Sequence, residues 1–143
     1  MCDSTPITIS VTHHYTASPE VVYDAWLDPV KAGKFLFATP TGEMVRAETD
    51  PRVGGSFTFT DRRDGQDIVH TGEYLELERP NRIVFDFVVP QFSSIATRIT
   101  IELVPVGTSS MLTLMHEGVL PEYEDATKKG WSMILDALAA AIE

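Results

Sequence analysis

The chain has little of several features that would place it in other classes of protein. It contains one cysteine, Cys2, so it forms no internal disulfide, which fits a reducing compartment. No apolar run approaches the roughly 18 residues that a membrane-spanning helix needs. Residues 1–6 have neither the basic nor the apolar region of a secretory signal. We therefore expect a soluble, cytoplasmic protein that does not associate with membranes.

Basic residues are also scarce. There are 11 Lys and Arg against 21 Asp and Glu, a formal net charge of −10, and the acidic residues are spread along the chain. A field of this sign repels phosphate backbones and anionic membrane surfaces, so nucleic acid is a poor candidate partner. The acidic residues are interpreted either as a solvated surface or as an acidic docking face.

What is present is a hydrophobic fraction of 43% in 143 residues, the usual length of one domain. Folding at this length removes roughly 68–70% of the unfolded chain's surface from water, so a core can form without disulfides. No linker, repeat or low-complexity segment divides the sequence. We predict a single domain over residues 1–143.

The first 35 residues predict one strand and two short helices. Ile7 to Tyr15 alternates apolar and polar residues, which is typical of a half-buried strand. Ser18-Pro19 is a helix start signal, and Asp28-Pro29 repeats it for a second helix that we expect to end near Phe35, with its exit at about residues 37–40.

From Met44 onward the pattern indicates antiparallel hairpins separated by turns such as Asp64-Gly65 and a segment at residues 90–94. The predicted strands span residues 44–49, 55–61, 67–77, 82–89, 96–104 and 110–116. The predicted strand at residues 67–77 has apolar residues on both faces of the sheet. A bulge near Gly72 would turn them all to the same face.

The last 22 residues return to a helical period. Apolar residues recur at three- and four-residue spacing, which predicts one long helix with an apolar stripe made of Trp131, Ile134, Leu135, Leu138 and Ile142. The predicted fold class is α+β: a seven-stranded, curved antiparallel sheet wrapped around a long C-terminal helix, with two short helices after the first strand. This is a helix-grip architecture.

Such a fold leaves space between its layers. A helix about 10 Å wide is much narrower than seven strands spaced about 4.8 Å apart, so the sheet has to curl around it. Large side chains either fill the remaining space or line an apolar cavity, and both outcomes are open. In the second case we expect a small apolar or aromatic ligand to bind there. The expected ligand-binding wall is Tyr15, Phe35, Phe57, Phe59, Tyr74, Phe85, Phe87, Leu112, Leu114, His116, Trp131, Ile134 and Leu135.

Four groups of residues carry a resemblance to a known family. They are residues 17–29 (Ala-Ser-Pro-Glu-Val-Val-Tyr-Asp-Ala-Trp-Leu-Asp-Pro), 53–57 (Val-Gly-Gly-Ser-Phe), 71–77 leading into 80–85, and 112–118 with Gly130-Trp131. In this order they resemble the Activator of Hsp-90 ATPase homologue-like family of the START-like, birch-pollen-allergen-like superfamily. Two positions depart from its pattern. Ser18 stands where a Pro is frequent, and Phe35-Leu36-Phe37 stands where many relatives carry a Trp.

The resemblance implies the helix-grip fold and a pocket, but no shared catalytic residues and no cofactor. It also implies two alternatives to ligand binding: stimulation of a chaperone ATPase or another protein interaction through the surface, and a polyketide cyclase-like enzyme. The eukaryotic chaperone activator has a separate N-terminal domain, and the 143 residues here have room for one domain. We expect a monomer or homodimer that binds a small apolar ligand, with a chaperone or other protein as the alternative partner.

Few residues suggest catalytic or metal chemistry. His13 and His116 lie on strands that pair in this fold, and His70 with Glu73 could complete a metal site, but no His-x-His or His-x-x-x-His spacing occurs, so we expect no metal. The candidate general acids or bases for a cyclase-like reaction are Asp86, Glu76 and His116. No Ser-His-Asp order, Gly-x-Ser-x-Gly motif or phosphate loop is present, so a binding protein is favoured over an enzyme.

Overall fold

Seven antiparallel strands form one sheet in the spatial order β1-β7-β6-β5-β4-β3-β2. The computed structural model describes residues 6–35, 43–89 and 96–142. The elements in chain order are β1 (Ile7–Tyr15), α1 (Pro19–Leu27), α2 (Pro29–Phe35), β2 (Glu43–Thr49), β3 (Ser56–Arg63), β4 (Gln66–Glu78), β5 (Arg82–Val88), β6 (Thr97–Val106), β7 (Ser109–Val119), a 3-10 turn (Pro121–Tyr123) and α3 (Glu124–Ile142). The predicted fold class and element order are confirmed.

Both short helices begin where the capping residues predict. The Ser18 hydroxyl accepts a hydrogen bond from the Val21 N–H at 3.5 Å, and the Asp28 carboxylate accepts one from the Val30 N–H at 2.9 Å. Each bond satisfies a backbone donor that the first turn of a helix leaves without a partner. The predicted exit of α2 at residues 37–40, the turn at 90–94, and Cys2 lie outside the described residues.

The hairpins follow from turn chemistry and from alternation. Asp64 and Gly65 between β3 and β4 both have positive φ, 52° and 79°, as a two-residue hairpin turn requires. The irregularity predicted near Gly72 lies at Leu75, because β4 and β5 change register between Tyr74 and Glu76. Beyond it Leu77 packs against the core, which explains the apolar residues on both faces of the predicted strand.

The core lies between the sheet and α3. Trp131, Leu135 and Leu138 of α3 are buried, as their spacing predicts. The Tyr15 hydroxyl donates to the Leu135 carbonyl at 2.9 Å and so joins the end of β1 to the helix. Among the helices of the described residues, none combines the length and the apolar character that crossing a membrane requires.

Candidate functional site

A pocket of about 780 Å³ opens where the ends of three strands meet the beginning of α3. It lies beside the last residues of β5 and β7 and the first residue of β6, and the 3-10 turn and α3 close its other side. Its described lining residues are Pro6, Phe87, Val88, Val89, Thr97, His116, Gly118, Val119, Leu120, Tyr123 and Thr127. Most of these are apolar, and two of the few polar ones, Thr97 and His116, are in direct contact.

The register of the strands explains why space remains here. Phe57 of β3 lies opposite Gly72 of β4, Gly72 opposite Phe87 of β5, and Phe87 opposite Thr97 of β6. Large and small residues therefore alternate across this row. The ring of Phe57 lies against Gly72, where an added Cβ would stand 2.8 Å from that ring. The other side of Phe87 faces a threonine, and the small side chains there leave volume unfilled.

Gly118 contributes to the same opening. It is the extra residue where the pairing of β1 with β7 shifts register, since Ile7 pairs with Val119 and Thr8 with Glu117. Its φ of 87° is in the region that favours glycine, as at a bulge whose first residue is left-handed. A Cβ at this position would lie 3.3 Å from the methyl group of Thr97. The absence of that carbon lets Thr97 sit close to β7.

His116, Trp131 and Thr97 form a chain of hydrogen bonds along the pocket. The indole Nε1–H of Trp131 donates to Nδ1 of His116 at 3.0 Å. Because an indole N–H is a donor and never an acceptor, Nδ1 carries no proton, and the proton of the neutral ring is on Nε2. Nε2–H therefore donates to the hydroxyl oxygen of Thr97, 2.8 Å away.

Burial fixes the charge of this histidine. His116 is 6% exposed, and its removal from water lowers its pKa from 6.5 to about 4. Protonation would also replace the lone pair that accepts from Trp131. His116 is thus neutral at neutral pH and has both ring nitrogens engaged, so it is poorly suited to act as a general base.

Phe87 and His116 line one edge of the pocket, and their rings pack against the buried ring of Trp131. The Phe87 ring centroid lies 5.5 Å from that of His116 and 6.3 Å from that of Trp131, nearly perpendicular to the latter. Trp131 meets His116 edge to face at 5.8 Å. Such contacts hold aromatic rings in defined orientations. The pocket edge is therefore ordered by packing as well as by hydrogen bonds.

The sequence-predicted ligand wall divides into pocket and core. Phe87 and His116 line the pocket, and Trp131 is a buried core residue that contacts these two side chains. Eight of the predicted residues are buried in the core, at most 3% exposed, and are not among the pocket's lining residues: Tyr15, Phe57, Phe59, Tyr74, Phe85, Leu112, Leu114 and Leu135. Ile134 is half-buried and packs against the core, and Phe35 is the last residue of α2. Their assignment to ligand binding stays a prediction.

Four of those core residues interlock as an aromatic cluster of Phe57, Phe59, Tyr74 and Phe85. The Phe57 ring lies 5.8 Å from Phe59, 5.5 Å from Tyr74 and 5.2 Å from Phe85. Burial raises the pKa of the Tyr74 hydroxyl, which keeps it neutral. In this part of the sheet, aromatic rings fill the space between the layers, which from the sequence could belong either to the core or to a cavity.

The other histidines and carboxylates considered from the sequence lie apart. His13 is opposite Leu112 on β7 whereas His116 is opposite Ile9 on β1, so the two are at different levels of the sheet. His70 contacts the Phe59 carbonyl at 3.3 Å, on β3. Within residues 6–35, 43–89 and 96–142, no three histidine, cysteine or acidic side chains come together as metal ligands would.

The two candidate carboxylates form ion pairs outside the pocket. Asp86 pairs with Arg98 at 3.2 Å and Glu76 with Arg82 at 2.8 Å, and neither carboxylate is among the pocket's lining residues. Of the three candidate acids and bases, His116 is thus the one that the fold brings to the pocket.

The sequence-based prediction missed nine of the described lining residues: Pro6, Val88, Val89, Thr97, Gly118, Val119, Leu120, Tyr123 and Thr127. The available signals were weak: Thr97 shares a face with Ile99 and Ile101, and Gly118 follows His116 by two residues at a strand end. A threonine in a strand or a glycine near a turn has many structural explanations, so neither pattern points to a pocket without the register.

A curved antiparallel sheet that holds a long C-terminal helix, with two short helices after the first strand and a pocket at the helix start, defines a helix-grip α+β protein. Residues 16–143 match the family described as Activator of Hsp90 ATPase homolog 1-like protein. The chain belongs to this family, as its motifs indicate.

Solved structures share this fold. Protein CV1439 from Chromobacterium violaceum is 30% identical, with a TM-score of 0.85 over 95% of this chain and 96% of that one. SA2116, a protein of unknown function from Staphylococcus aureus, is 20% identical, with a TM-score of 0.81 over 98% and 96% of the two chains. CalU16 from Micromonospora echinospora is 22% identical, with a TM-score of 0.73 over 96% and 77%. Among proteins of curated function, none matches the sequence.

Proposed function

We propose that the protein binds a small apolar or aromatic molecule in the pocket between α3 and the ends of β5, β6 and β7. The observation that carries this proposal is the pocket itself. Its volume of about 780 Å³ falls within the range of roughly 300–1,000 Å³ typical of small-molecule sites. Its lining has the usual composition of such sites, with apolar side chains for affinity and a few neighbouring polar groups for orientation.

The charge of the lining favours an uncharged ligand. Of the described lining residues, His116 and Tyr123 are the ones with titratable side chains, and burial keeps His116 neutral. A carboxylate or phosphate would lose its water there without gaining a cationic partner from these residues. The net charge of −10 adds repulsion at long range.

Binding can be tested with a neutral dye that fluoresces in apolar surroundings, such as N-phenyl-1-naphthylamine. Thr127 lines the pocket from α3, so Thr127→Trp should fill part of it and weaken dye binding at least about tenfold, a cost of about 1.4 kcal/mol. Met133 is exposed on the same helix and is not among the lining residues. Met133→Trp is therefore the matched control and should leave the dye affinity unchanged.

Two results would contradict the proposal. One is a wild-type protein that binds neither the dye nor any apolar compound and carries no small molecule in native mass spectrometry after purification. The other is equal dye binding by wild type and Thr127→Trp, which would place the dye elsewhere on the surface.

A second candidate function is stimulation of a chaperone ATPase, favoured by the family description itself. The acidic surface would supply the contacts, so retention of the protein on an immobilised Hsp90-type chaperone should fall as salt rises. If the protein is neither retained on the chaperone nor stimulates its ATPase at low ionic strength, this second function is excluded. A cyclase-like enzyme has less support, because the hydrogen bonds of His116 leave it poorly suited to abstract a proton.

A further inference from the structure

We infer that the ligand of this pocket carries a neutral hydrogen-bond acceptor oxygen, a ketone, aldehyde or ester carbonyl, and that the Thr97 hydroxyl donates to it. This inference rests on the proposed function and narrows it to a class of ligand. It follows from the direction of the hydrogen bonds that join Trp131, His116 and Thr97.

The direction of this series of hydrogen bonds is set at its buried end, by Trp131. The indole of Trp131 can donate but cannot accept, so it selects the tautomer of His116 whose proton is on Nε2. That proton is donated to the Thr97 oxygen at 2.8 Å. The hydrogen of the Thr97 hydroxyl must then point to an acceptor other than His116.

The pocket is where that acceptor can be supplied. Thr97 lines the pocket, between Phe87 on one neighbouring strand and Gly118, which approaches its methyl group from the other side. In the described part of the chain, His116 is the side chain that hydrogen-bonds the Thr97 hydroxyl. A ligand oxygen placed beside Thr97 would satisfy the hydroxyl hydrogen, and a chain of hydrogen bonds that polarise one another would strengthen the contact.

The remaining surroundings argue for a carbonyl rather than an anion. The described lining residues offer no Lys or Arg to neutralise a carboxylate, whereas a carbonyl is an acceptor that stays uncharged in an apolar site. The rings of Phe87 and His116 lie next to Thr97, so an aromatic ketone can stack its ring against them while its oxygen accepts from the Thr97 hydroxyl.

The test compares 2-acetylnaphthalene with 2-isopropenylnaphthalene, in which a CH₂ group replaces the carbonyl oxygen at nearly the same shape. Thr97→Val removes the hydroxyl and keeps the branched side chain. Thr113→Val is the matched control, because Thr113 lies on β7, is not among the pocket's lining residues and has no part in the hydrogen-bond chain. Each variant is first checked for folding by its thermal transition.

We expect Thr97→Val to weaken binding of the ketone roughly 5–10-fold, the usual value of one neutral hydrogen bond, and to leave the affinity for the alkene unchanged. Thr113→Val should change neither affinity. The infrared stretch of the carbonyl-¹³C-labelled ketone should lie at lower frequency when bound to wild type than when bound to Thr97→Val.

Equal effects of Thr97→Val on ketone and alkene, or no effect on either, would overturn this inference while leaving the proposed function intact. A wild-type protein that binds neither compound nor the neutral dye would overturn the proposed function and this inference together. Binding of the dye but of neither naphthalene would overturn the inference alone.

Discussion

Phe85 and Phe87 stand on the same face of β5, two residues apart, yet they belong to two different environments. Phe85 is locked into the aromatic cluster with Phe57 and Tyr74, at 5.2 and 6.4 Å between ring centroids. Phe87 borders the pocket and is partly exposed. The difference shows that one concave sheet can be solid at one place and open at another. What decides between them is the size of the residues on the neighbouring strands.

The largest expected effect is a difference in stability between variants of the aromatic cluster and of the pocket edge. Phe85→Ala should lower the free energy of unfolding by about 3–5 kcal/mol, because it removes a fully packed ring from the cluster. Phe87→Ala should cost less, about 1–2 kcal/mol, since its ring is already partly exposed. Urea denaturation of both variants measures this, and equal losses would show that the pocket edge is as tightly packed as the cluster.

For ligand affinity the order of the two variants should be reversed, with the larger loss in Phe87→Ala. Phe87→Ala removes a ring from the pocket edge and should weaken binding of N-phenyl-1-naphthylamine several-fold, about 1 kcal/mol. Phe85→Ala, assayed well below its unfolding midpoint, should bind the dye almost as wild type does. A dye affinity that falls more in Phe85→Ala would place the ligand in the core rather than in the pocket.

Lowering the pH should reduce the stability of the folded protein through protonation of His116. Its pKa is about 4 in the folded protein and about 6.5 when exposed, so the unfolded chain binds the proton more tightly. The stability contributed by the neutral ring is complete above pH 6.5 and is lost as the pH falls towards 4, by up to about 3 kcal/mol. His116→Gln can keep both hydrogen bonds without titrating. The difference in unfolding free energy between wild type and this variant, followed from pH 7 to 4, should shift against wild type, and a constant difference would contradict the account.

A further comparison concerns two glycines with positive φ. Gly107→Ala should cost about 1 kcal/mol for the left-handed backbone alone, because nothing lies within 4 Å of its added carbon. Gly118→Ala should cost about 1 kcal/mol more, since its Cβ would press on the Thr97 methyl group 3.3 Å away. Thermal denaturation compares the two, and equal costs would mean that Gly118 does not hold Thr97 in place.

Local patterns in the sequence predicted most of the fold, because strand alternation, helix caps and turn residues act over short distances. Ser18, Asp28 and Asp64-Gly65 mark element boundaries through bonds and angles of their own segments. The apolar stripe of α3 was likewise readable from Trp131 and Leu135.

The position of the pocket depends on register, which sequence patterns do not supply. Phe57 packs against Gly72, which lies opposite it, whereas Phe87 borders the pocket on the side where Thr97 lies opposite it. From the sequence, all of these rings were equivalent candidates for the wall. Thr97 could not be singled out, since its role depends on the direction of a hydrogen bond that begins at Trp131, in another element.

The indole N–H resonances of the two tryptophans offer the most direct measurement of ligand binding in the pocket. Neither tryptophan is among the pocket's lining residues, but Trp131 donates to His116, which is, whereas Trp26 is buried in α1. In ¹⁵N-labelled protein titrated with 2-acetylnaphthalene, the Trp131 resonance should shift and saturate while that of Trp26 stays in place. A Trp131 resonance that does not move, or two resonances that move together, would contradict binding in the pocket.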